Sequence, residues 1–317
     1  MKQLIRKGAL FILIMIATII LFFLTFTVVL PPQFNNSYQY VINDKYENLM
    51  KLKSPKIVII AGSSGAFGIN ADLIKNETGL GCANLGLHGG FGLKFQTEIS
   101  KGNISKGDII ILAYEDTQWE ISNLSPELVV TGIDDKIDKY RYISKEYYID
   151  IIKYLPTYFF KKLDSAFVTP TRASGVYSRS SFDSDGNMIF SRPNCVLPNP
   201  VPEIPFGRIK LNKSLIRDDM TNYVNEFNTY VKDRGATLLI SFSPALNEAV
   251  LSNKDEISGF QSSLNERLNA PIISDINDYI FERKYFYDTI FHLNSYGEIE
   301  RTKLLIRDLN KFLANNK

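Results

Sequence analysis

The sequence predicts an α/β protein in which an open parallel β-sheet carries helices on both faces and follows an apolar N-terminal helix. Three observations lead to this prediction. Short β-branched runs recur along the chain, segments with helical periodicity lie between them, and residues 9–30 contain no charge. Strands buried on both faces of a parallel sheet read as continuous apolar runs, and their alternation with helices is typical of parallel α/β folds.

The N-terminal segment is predicted to anchor the chain in a membrane. Residues 9–30 are 22 uncharged residues in a row, and a hydrocarbon core about 30 Å thick needs roughly 20 helical residues. Lys2, Arg6 and Lys7 precede this run, which keeps the N-terminus in the cytoplasm and the rest of the chain outside it. A cleavable signal peptide is the alternative, although its apolar core is usually shorter and a small-residue cleavage site follows it.

The predicted strands are short apolar runs that stop at glycine or polar residues. They cover residues 56–61, 82–87, 109–114, 237–242 and, most weakly, 271–275. Helices with one apolar face are predicted over 215–232 and around 305–313. Ligands of such sheets bind at the carboxyl ends of the strands, so residues that directly follow a strand are the first candidates for a site.

These features divide the chain into an anchor at 1–30, a linker at 31–55 and an extracytoplasmic domain at 56–317. Residues 168–212 interrupt the alternation, because they hold several of the 13 prolines and short β-like pieces. We interpret them as an insertion that shapes or covers the site.

One piece of this insertion, residues 182–190, has two possible interpretations. It is predicted to form a hairpin that turns at Asp185 and Gly186. The spacing also resembles a calcium loop, but the chain has Asn194 where that loop needs a bidentate glutamate.

Composition excludes several classes of function. The formal net charge is +2, whereas nucleic-acid binding needs a clustered basic excess. Cys82 and Cys195 are the only cysteines, too few for a disulfide framework or a four-thiolate zinc site. They could pair with each other outside the cytoplasm, but we expect both to be free. Any chemistry that needs an imidazole must use His88 or His292.

The first candidate motif is the glycine-serine turn at residues 61–70, directly after the first predicted strand. A serine at this position lies where substrates of parallel sheets bind. The turn lacks the Gly-Lys-Ser/Thr ending of phosphate loops and the spaced glycines of dinucleotide sites. A turn without chemistry is the alternative, since a short glycine-serine pattern is a weak motif.

The second candidate motif pairs Asp288 with His292, just before the C-terminal helix. An aspartate four residues before a histidine can hold one imidazole nitrogen, which leaves the other nitrogen to accept a proton from a serine. The alternative is a helix-capping aspartate beside a surface histidine.

Together the two motifs resemble the SGNH (GDSL-type) hydrolase superfamily. The resemblance is strongest to its membrane-anchored branch, whose members assist D-alanylation of teichoic acids or O-acetylation of extracellular polysaccharides. It covers residues 56–120 and 237–310. It implies a flavodoxin-like three-layer fold, no cofactor, and a catalytic triad of Ser64, His292 and Asp288.

The conserved blocks of this superfamily suggest further site residues. Residues 62–64 resemble the first block, which makes Ser64 the nucleophile. Residues 84–90 resemble the second block, so the N–H groups of Gly86 or Gly89 would form an oxyanion hole with that of Ser64. Residues 288–297 resemble the last block.

The third block departs from the superfamily. Its Gly-x-Asn-Asp pattern, whose asparagine donates to the oxyanion, is replaced by residues 113–117 without any asparagine. A missing donor can cost on the order of 100-fold in rate. Glu115 would also repel an oxyanion unless it were protonated or turned away.

The resemblance implies acyl transfer through a serine ester. Water as the acceptor would make the protein an esterase, whereas a sugar or polyol hydroxyl of a cell-envelope or extracellular polymer would make it an O-acyltransferase. The implied partners are the lipid bilayer, a multispanning membrane acyltransferase and a carbohydrate or polyol polymer. The alternative is a non-catalytic accessory protein that scaffolds a polysaccharide-modification complex.

Weaker candidates for substrate contact lie beside these motifs. They are Ser63, His88, Glu115, Trp119 and Asn294. A hydrogen-bonded turn histidine is the alternative for His88, and core packing is the alternative for Trp119.

Overall fold

The computed structural model describes residues 2–29, 32–115, 124–167, 175–201 and 207–315. The helices are α1 (Lys2–Val29), α2 (Val41–Lys51), α3 (Ser63–Gly68), α4 (Ala71–Thr78), α5 (Leu93–Ser100), α6 (Pro126–Ile133), α7 (Tyr148–Phe167), α8 (Asp218–Asp233), α9 (Lys254–Arg267) and α10 (Ser295–Asn315). The strands are β1 (Lys56–Ile60), β2 (Gly81–Asn84), β3 (Ile109–Leu112), β4 (Thr237–Ile240), β5 (Ala245–Leu246) and β6 (Ile280–Phe281).

The central sheet is parallel throughout, with the strand order β2-β1-β3-β4. This confirms the predicted α/β class and the first four predicted strands. β5 and β6 form a separate two-stranded parallel sheet. The fifth predicted strand, at 271–275, is reduced to an isolated bridge between Ile240 and Ile272. Pro271 has no N–H to donate, and the chain turns into a 3₁₀ helix at Ile276–Tyr279.

Helices cover both faces of this sheet. Val58 and Ile60 point to the face packed by α2, α5 and α8, whereas Ile57 and Ile59 point to the face packed by α4 and α10. All four side chains are completely buried. Because neither face of the sheet meets water, polar and apolar residues do not alternate along β1. The strand could therefore be predicted from a continuous apolar run.

The interval predicted to be a linker, 31–55, contains helix α2. Its side chains Val41, Ile42 and Leu49 are completely buried in the larger core. The folded unit therefore includes this helix and begins well before residue 56.

Helix α1 is apolar and stands apart from the domain over most of its length. The 21-residue segment Lys2–Phe22 is long and apolar enough to cross a membrane, and none of it is buried inside the protein. The helix is consistent with a single-pass anchor.

The described part of the insertion, 175–201 and 207–212, consists of loops and short turns, and its residues Tyr177 and Arg192 reach the carboxyl edge of the sheet. Phe182 and Met188 make an antiparallel bridge around a turn at Gly186, where φ is +79°. The Asp183 carboxylate accepts hydrogen bonds from the N–H groups of Asp185 and Asn187, so it stabilises the turn itself. Elsewhere in the chain, Cys82 and Cys195 are free thiols, as expected.

Candidate active site

The candidate site lies at the carboxyl ends of β1, β2 and β3. The chain leaves these strands at Ala61, Leu85 and Ala113, and the loop before α10 reaches the same edge. Parallel strands end at one edge of a sheet, so these loops meet there although they are far apart in sequence.

Ser64 lies in the first turn of α3 and is completely buried. Its backbone N–H donates to Oε1 of Glu115 at 2.9 Å, and its carbonyl accepts from the buried guanidinium of Arg301 at 2.5 Å. Its Oγ has no hydrogen-bond partner among the described residues. The main chain therefore holds Ser64 in place, while its hydroxyl is left uncommitted.

Asp288 and His292 form the expected pair. Nδ1 of His292 and Oδ1 of Asp288 are 2.8 Å apart. The backbone N–H of His292 donates to Oγ1 of Thr289 at 3.1 Å, and its carbonyl accepts from the N–H of Tyr287 at 2.8 Å. These bonds fold residues 287–292 into a tight loop that places the carboxylate against the imidazole.

Phe67 links this pair to the serine turn. The rings of Phe67 and His292 stack with centroids 4.0 Å apart and planes inclined by 7°. Phe67 follows Ser64 by three residues in α3, so both side chains lie on the same side of the helix. The structure thus brings Ser64, Asp288 and His292 to one edge of the sheet, but it contains no hydrogen bond from Oγ of Ser64 to His292 within the described part of the chain.

A buried ion pair packs against the ring of Phe67. The Arg192 guanidinium lies 5.3 Å from the centroid of the Phe67 ring and pairs with the Glu298 carboxylate at 2.5 Å. It also donates to the carbonyls of Phe190 and Leu293. The insertion therefore contributes a buried residue that fixes the loop around His292.

Tyr177 is a site residue that sequence reasoning missed. Its hydroxyl donates to Oδ2 of Asp288 and lies 3.3 Å from Nδ1 of His292. Burial raises the pKa of Asp288, but the hydrogen bonds from His292 and Tyr177 and the charge of His292 outweigh it, so the pKa is below its usual value. No local pattern marked Tyr177, because it lies more than 100 residues from Asp288 in a segment without regular periodicity.

Two of the three expected oxyanion donors are engaged by side chains. The Ser64 N–H donates to Glu115, and the Gly86 N–H donates to Oδ1 of Asn84 at 2.9 Å. Gly89 begins a 3₁₀ helix, and its carbonyl accepts from the hydroxyl of Tyr114 at 3.0 Å. The two N–H groups of Ser64 and Gly86 are therefore not available to a substrate oxygen in this conformation.

Glu115 is turned toward Ser64 and not away from it. Its carboxylate is buried, and Oε2 has no hydrogen-bond partner among the described residues. A Cβ on Gly62 would clash with the Glu115 carboxylate, so the close approach of Glu115 requires a glycine there. Glu115 thus occupies the position beside the Ser64 N–H where the resemblance to the superfamily placed the oxyanion.

The weaker candidates have different environments. Ser63 is half-buried in α3, and His88 is exposed, with Nδ1 accepting from the N–H of Gly90 at 2.9 Å. Partial desolvation, and then the nearby charge of His292, lower the pKa of His88. Asn294 is buried and caps α10. Trp119 lies outside the described residues.

All polar atoms of the Asn294 side chain serve the fold. Its Oδ1 accepts from the N–H groups of Tyr296 and Gly297, while Nδ2 donates to the carbonyls of Lys284 and Phe286. Its hydrogen bonds therefore stabilise the loop and the helix start.

The described part of the chain contains no group of three or more His, Cys, Asp or Glu side chains that could hold a metal ion. Comparison with models of known protein families finds no match, and comparison with curated proteins finds none either.

Proposed function

We propose that this chain is a membrane-anchored serine acyl-transfer enzyme of the SGNH type. The observation that carries the proposal is the position of the Asp288–His292 pair beside the helix that holds Ser64. The His292 ring stacks on Phe67, which lies in the same helix as Ser64, and the Ser64 hydroxyl has no hydrogen-bond partner among the described residues. Strand order β2-β1-β3-β4 with helices on both faces supports a flavodoxin-like three-layer fold.

The proposed reaction begins with proton transfer from Ser64. The contact between Nδ1 of His292 and Asp288 fixes the tautomer, so that Nε2 can accept the proton while Oγ attacks the acyl carbonyl. Asp288 then stabilises the imidazolium, with the Tyr177 hydroxyl on its other oxygen. The proton passes to the leaving group, and the acyl group stays on Ser64 as an ester.

A second molecule then takes the acyl group from Ser64 and cleaves this ester. Water would release a free acid, whereas a hydroxyl of a cell-envelope polysaccharide or teichoic-acid-type polymer would take up the acyl group. In the proposed topology α1 spans the membrane with the N-terminus in the cytoplasm. A multispanning membrane acyltransferase is the proposed source of the acyl group.

Opening of the site is part of the proposed cycle. Ser64 is shielded from solvent, and its N–H is bonded to Glu115. Substrate binding must therefore displace the Glu115 carboxylate before this N–H can donate to an oxyanion.

The test is labelling of the full-length chain by a fluorophosphonate probe, in detergent and in native membranes. Labelling is expected for the unmodified protein and for Ser63→Ala, the neighbouring serine, and it is expected to be absent in Ser64→Ala and His292→Ala. Loss of labelling only in Ser63→Ala would contradict the assignment of the nucleophile.

A non-catalytic accessory protein is the second candidate. The engaged N–H groups and the shielded Ser64 favour it. Absence of labelling of the folded protein in both detergent and native membranes would support this candidate and contradict the enzyme.

A further inference from the structure

Helix α7 has apolar side chains on two opposite faces. One face is buried in the domain and contains Ile151 and Tyr158. The opposite face carries apolar residues at intervals of three, four, four and seven positions: Ile149, Ile152, Pro156, Phe160 and Phe167. This spacing keeps them on one line along the helix. We call these five residues the α7 stripe.

The α7 stripe is exposed to an unusual degree. The exposed fractions are 65% for Ile149, 63% for Ile152, 63% for Phe160 and 83% for Phe167. Single exposed apolar residues are ordinary, but a contiguous line of them on a helix marks a surface that binds something apolar.

The buried face of α7 is tied to the segment that leaves the anchor. The buried Asp134 carboxylate accepts from the N–H groups of Gln33 and Phe34 at 2.9 and 3.2 Å. The same carboxylate accepts from the hydroxyl of Tyr158 and pairs with Lys162 at 3.1 Å. One buried group therefore fixes the start of the domain to the middle of α7.

The anchor also contacts α7 directly. The rings of Phe22 in α1 and Phe159 in α7 lie 5.9 Å apart between centroids. Phe22 is 15 positions beyond Lys7, which is about 22 Å along a helix. In a hydrocarbon core about 30 Å thick, this contact would lie about 8 Å inside the far boundary. Interfacial helices bury their apolar face to about 5–10 Å, which is the same depth.

We infer that α7 is an interfacial membrane helix whose stripe inserts into the outer leaflet of the bilayer that α1 spans. This inference rests on the proposed anchoring by α1 and is independent of the proposed acyl transfer. Lys153 and Lys161 lie beside the stripe on the exposed surface, where they pair with Asp150 at 3.9 Å and Glu127 at 2.5 Å. Long lysine side chains at such positions can also extend to the headgroups.

A lipid surface is favoured over a protein partner because Phe159, which contacts the anchor, packs against Phe160 of the stripe. A chain held by α1 alone can rotate about the membrane normal and tilt. A second contact through α7 fixes the tilt.

The test places a fluorescent reporter on the stripe of the full-length chain. Ile152→Cys and Phe160→Cys are made in a Cys195→Ser background, labelled with an environment-sensitive dye and reconstituted into vesicles of phosphatidylethanolamine and phosphatidylglycerol. We expect a blue shift of the emission and quenching by lipids that carry a nitroxide near the headgroup.

Matched controls lie elsewhere on the domain. Ile189 and Leu251 are exposed to 63% and 61%, and their cysteine variants are expected to show neither effect. Ile16→Cys in α1 reports the anchor itself and is expected to be quenched by lipids with a deep nitroxide.

Three outcomes would overturn the inference. The labels at 152 and 160 could behave like those at 189 and 251, which would place the stripe in water. They could respond only in native membranes and cross-link there to a protein, which would make the stripe a protein-docking surface. The label at 16 could escape quenching, in which case the anchor and the inference fail together, while probe labelling of Ser64 still tests the acyl transfer separately.

Discussion

Replacing Glu115 by glutamine is expected to raise both the stability of the domain and its rate of ester cleavage. Oε1 of Glu115 accepts the Ser64 N–H at 2.9 Å, and a glutamine oxygen can accept the same bond. Oε2 is buried without a partner among the described residues, and glutamine would replace it with a neutral N–H donor. The variant keeps the shape of the site and removes its negative charge.

The expected magnitudes follow from these two atoms. A buried polar group without a partner costs about 1–3 kcal/mol, and more if it is charged. The glutamine nitrogen would also lack a partner but would be neutral, so only the extra cost of the charge is removed, and we expect about 1 kcal/mol of added stability. An oxyanion donor is worth roughly 100-fold to 1,000-fold in kcat. A glutamine amide beside the Ser64 N–H is not ideally placed for that role, and we expect an increase in kcat/KM on the order of tenfold.

The assay compares the unmodified and Glu115→Gln proteins as full-length chains in detergent. Urea unfolding gives the change in stability, and release of p-nitrophenol from p-nitrophenyl acetate gives kcat/KM. Glu266→Gln, at an exposed position on α9, controls for the loss of one negative charge and is expected to change neither value.

A slower reaction with an unchanged fold would refute this reasoning, because it would mean that the Glu115 carboxylate itself takes part in the chemistry. Unchanged stability would show that the free oxygen of Glu115 is solvated in solution and carries no desolvation cost.

Three further substitutions test the surroundings of the site. Tyr177→Phe removes one hydrogen-bond donor from Asp288, so the Asp288 pKa is expected to rise and kcat/KM to fall about tenfold, as measured in a pH–rate profile. Burial lowers the pKa of Lys45 to about 7. The unfolded chain therefore binds more protons than the folded one between about pH 7 and pH 10.4, and stability rises with pH across that window. Urea unfolding at both ends of this pH window is expected to show that the free energy of unfolding rises clearly less in Lys45→Met than in the unmodified protein. Arg192→Met leaves the Glu298 carboxylate without its cation and is expected to cost about 3–5 kcal/mol, measured by thermal unfolding.

Each of these substitutions has a control outside the site. Tyr296→Phe removes an exposed hydroxyl, Lys51→Met removes an exposed lysine from the helix that carries Lys45, and Arg283→Met breaks a surface ion pair. Equal losses in Arg283→Met and Arg192→Met would contradict the importance of burial. If stability depends on pH equally in Lys45→Met and in the unmodified protein, the lowered pKa of Lys45 is contradicted. If the pH–rate profile of Tyr177→Phe is unaltered, the effect of the Tyr177 hydroxyl on the Asp288 pKa is contradicted.

The strands were predictable because burial on both faces leaves an unbroken apolar run. The same rule fails at residues 271–275, where one bridge to Ile240 is all that forms. Helix α2 escaped prediction for the opposite reason. It buries Asn43, Lys45 and Asn48 beside its apolar residues, and a reader of the sequence assigns such polar residues to a surface. Lys45 is tolerated there because its Nζ donates to the carbonyls of Asn84 and Gly186.

Local spacing determined the features of this protein that lie within one short, continuous stretch of sequence. The Asp288–His292 contact, the serine turn after β1 and the length of α1 all belong to this class, because backbone geometry alone brings such residues together or sets their span. The tertiary structure decided the rest. Tyr177 on Asp288, Glu115 on the Ser64 N–H and the position of α7 beside α1 each join segments more than 50 residues apart. Such contacts depend on how loops close over a packed core, and no periodicity in the chain encodes that closure.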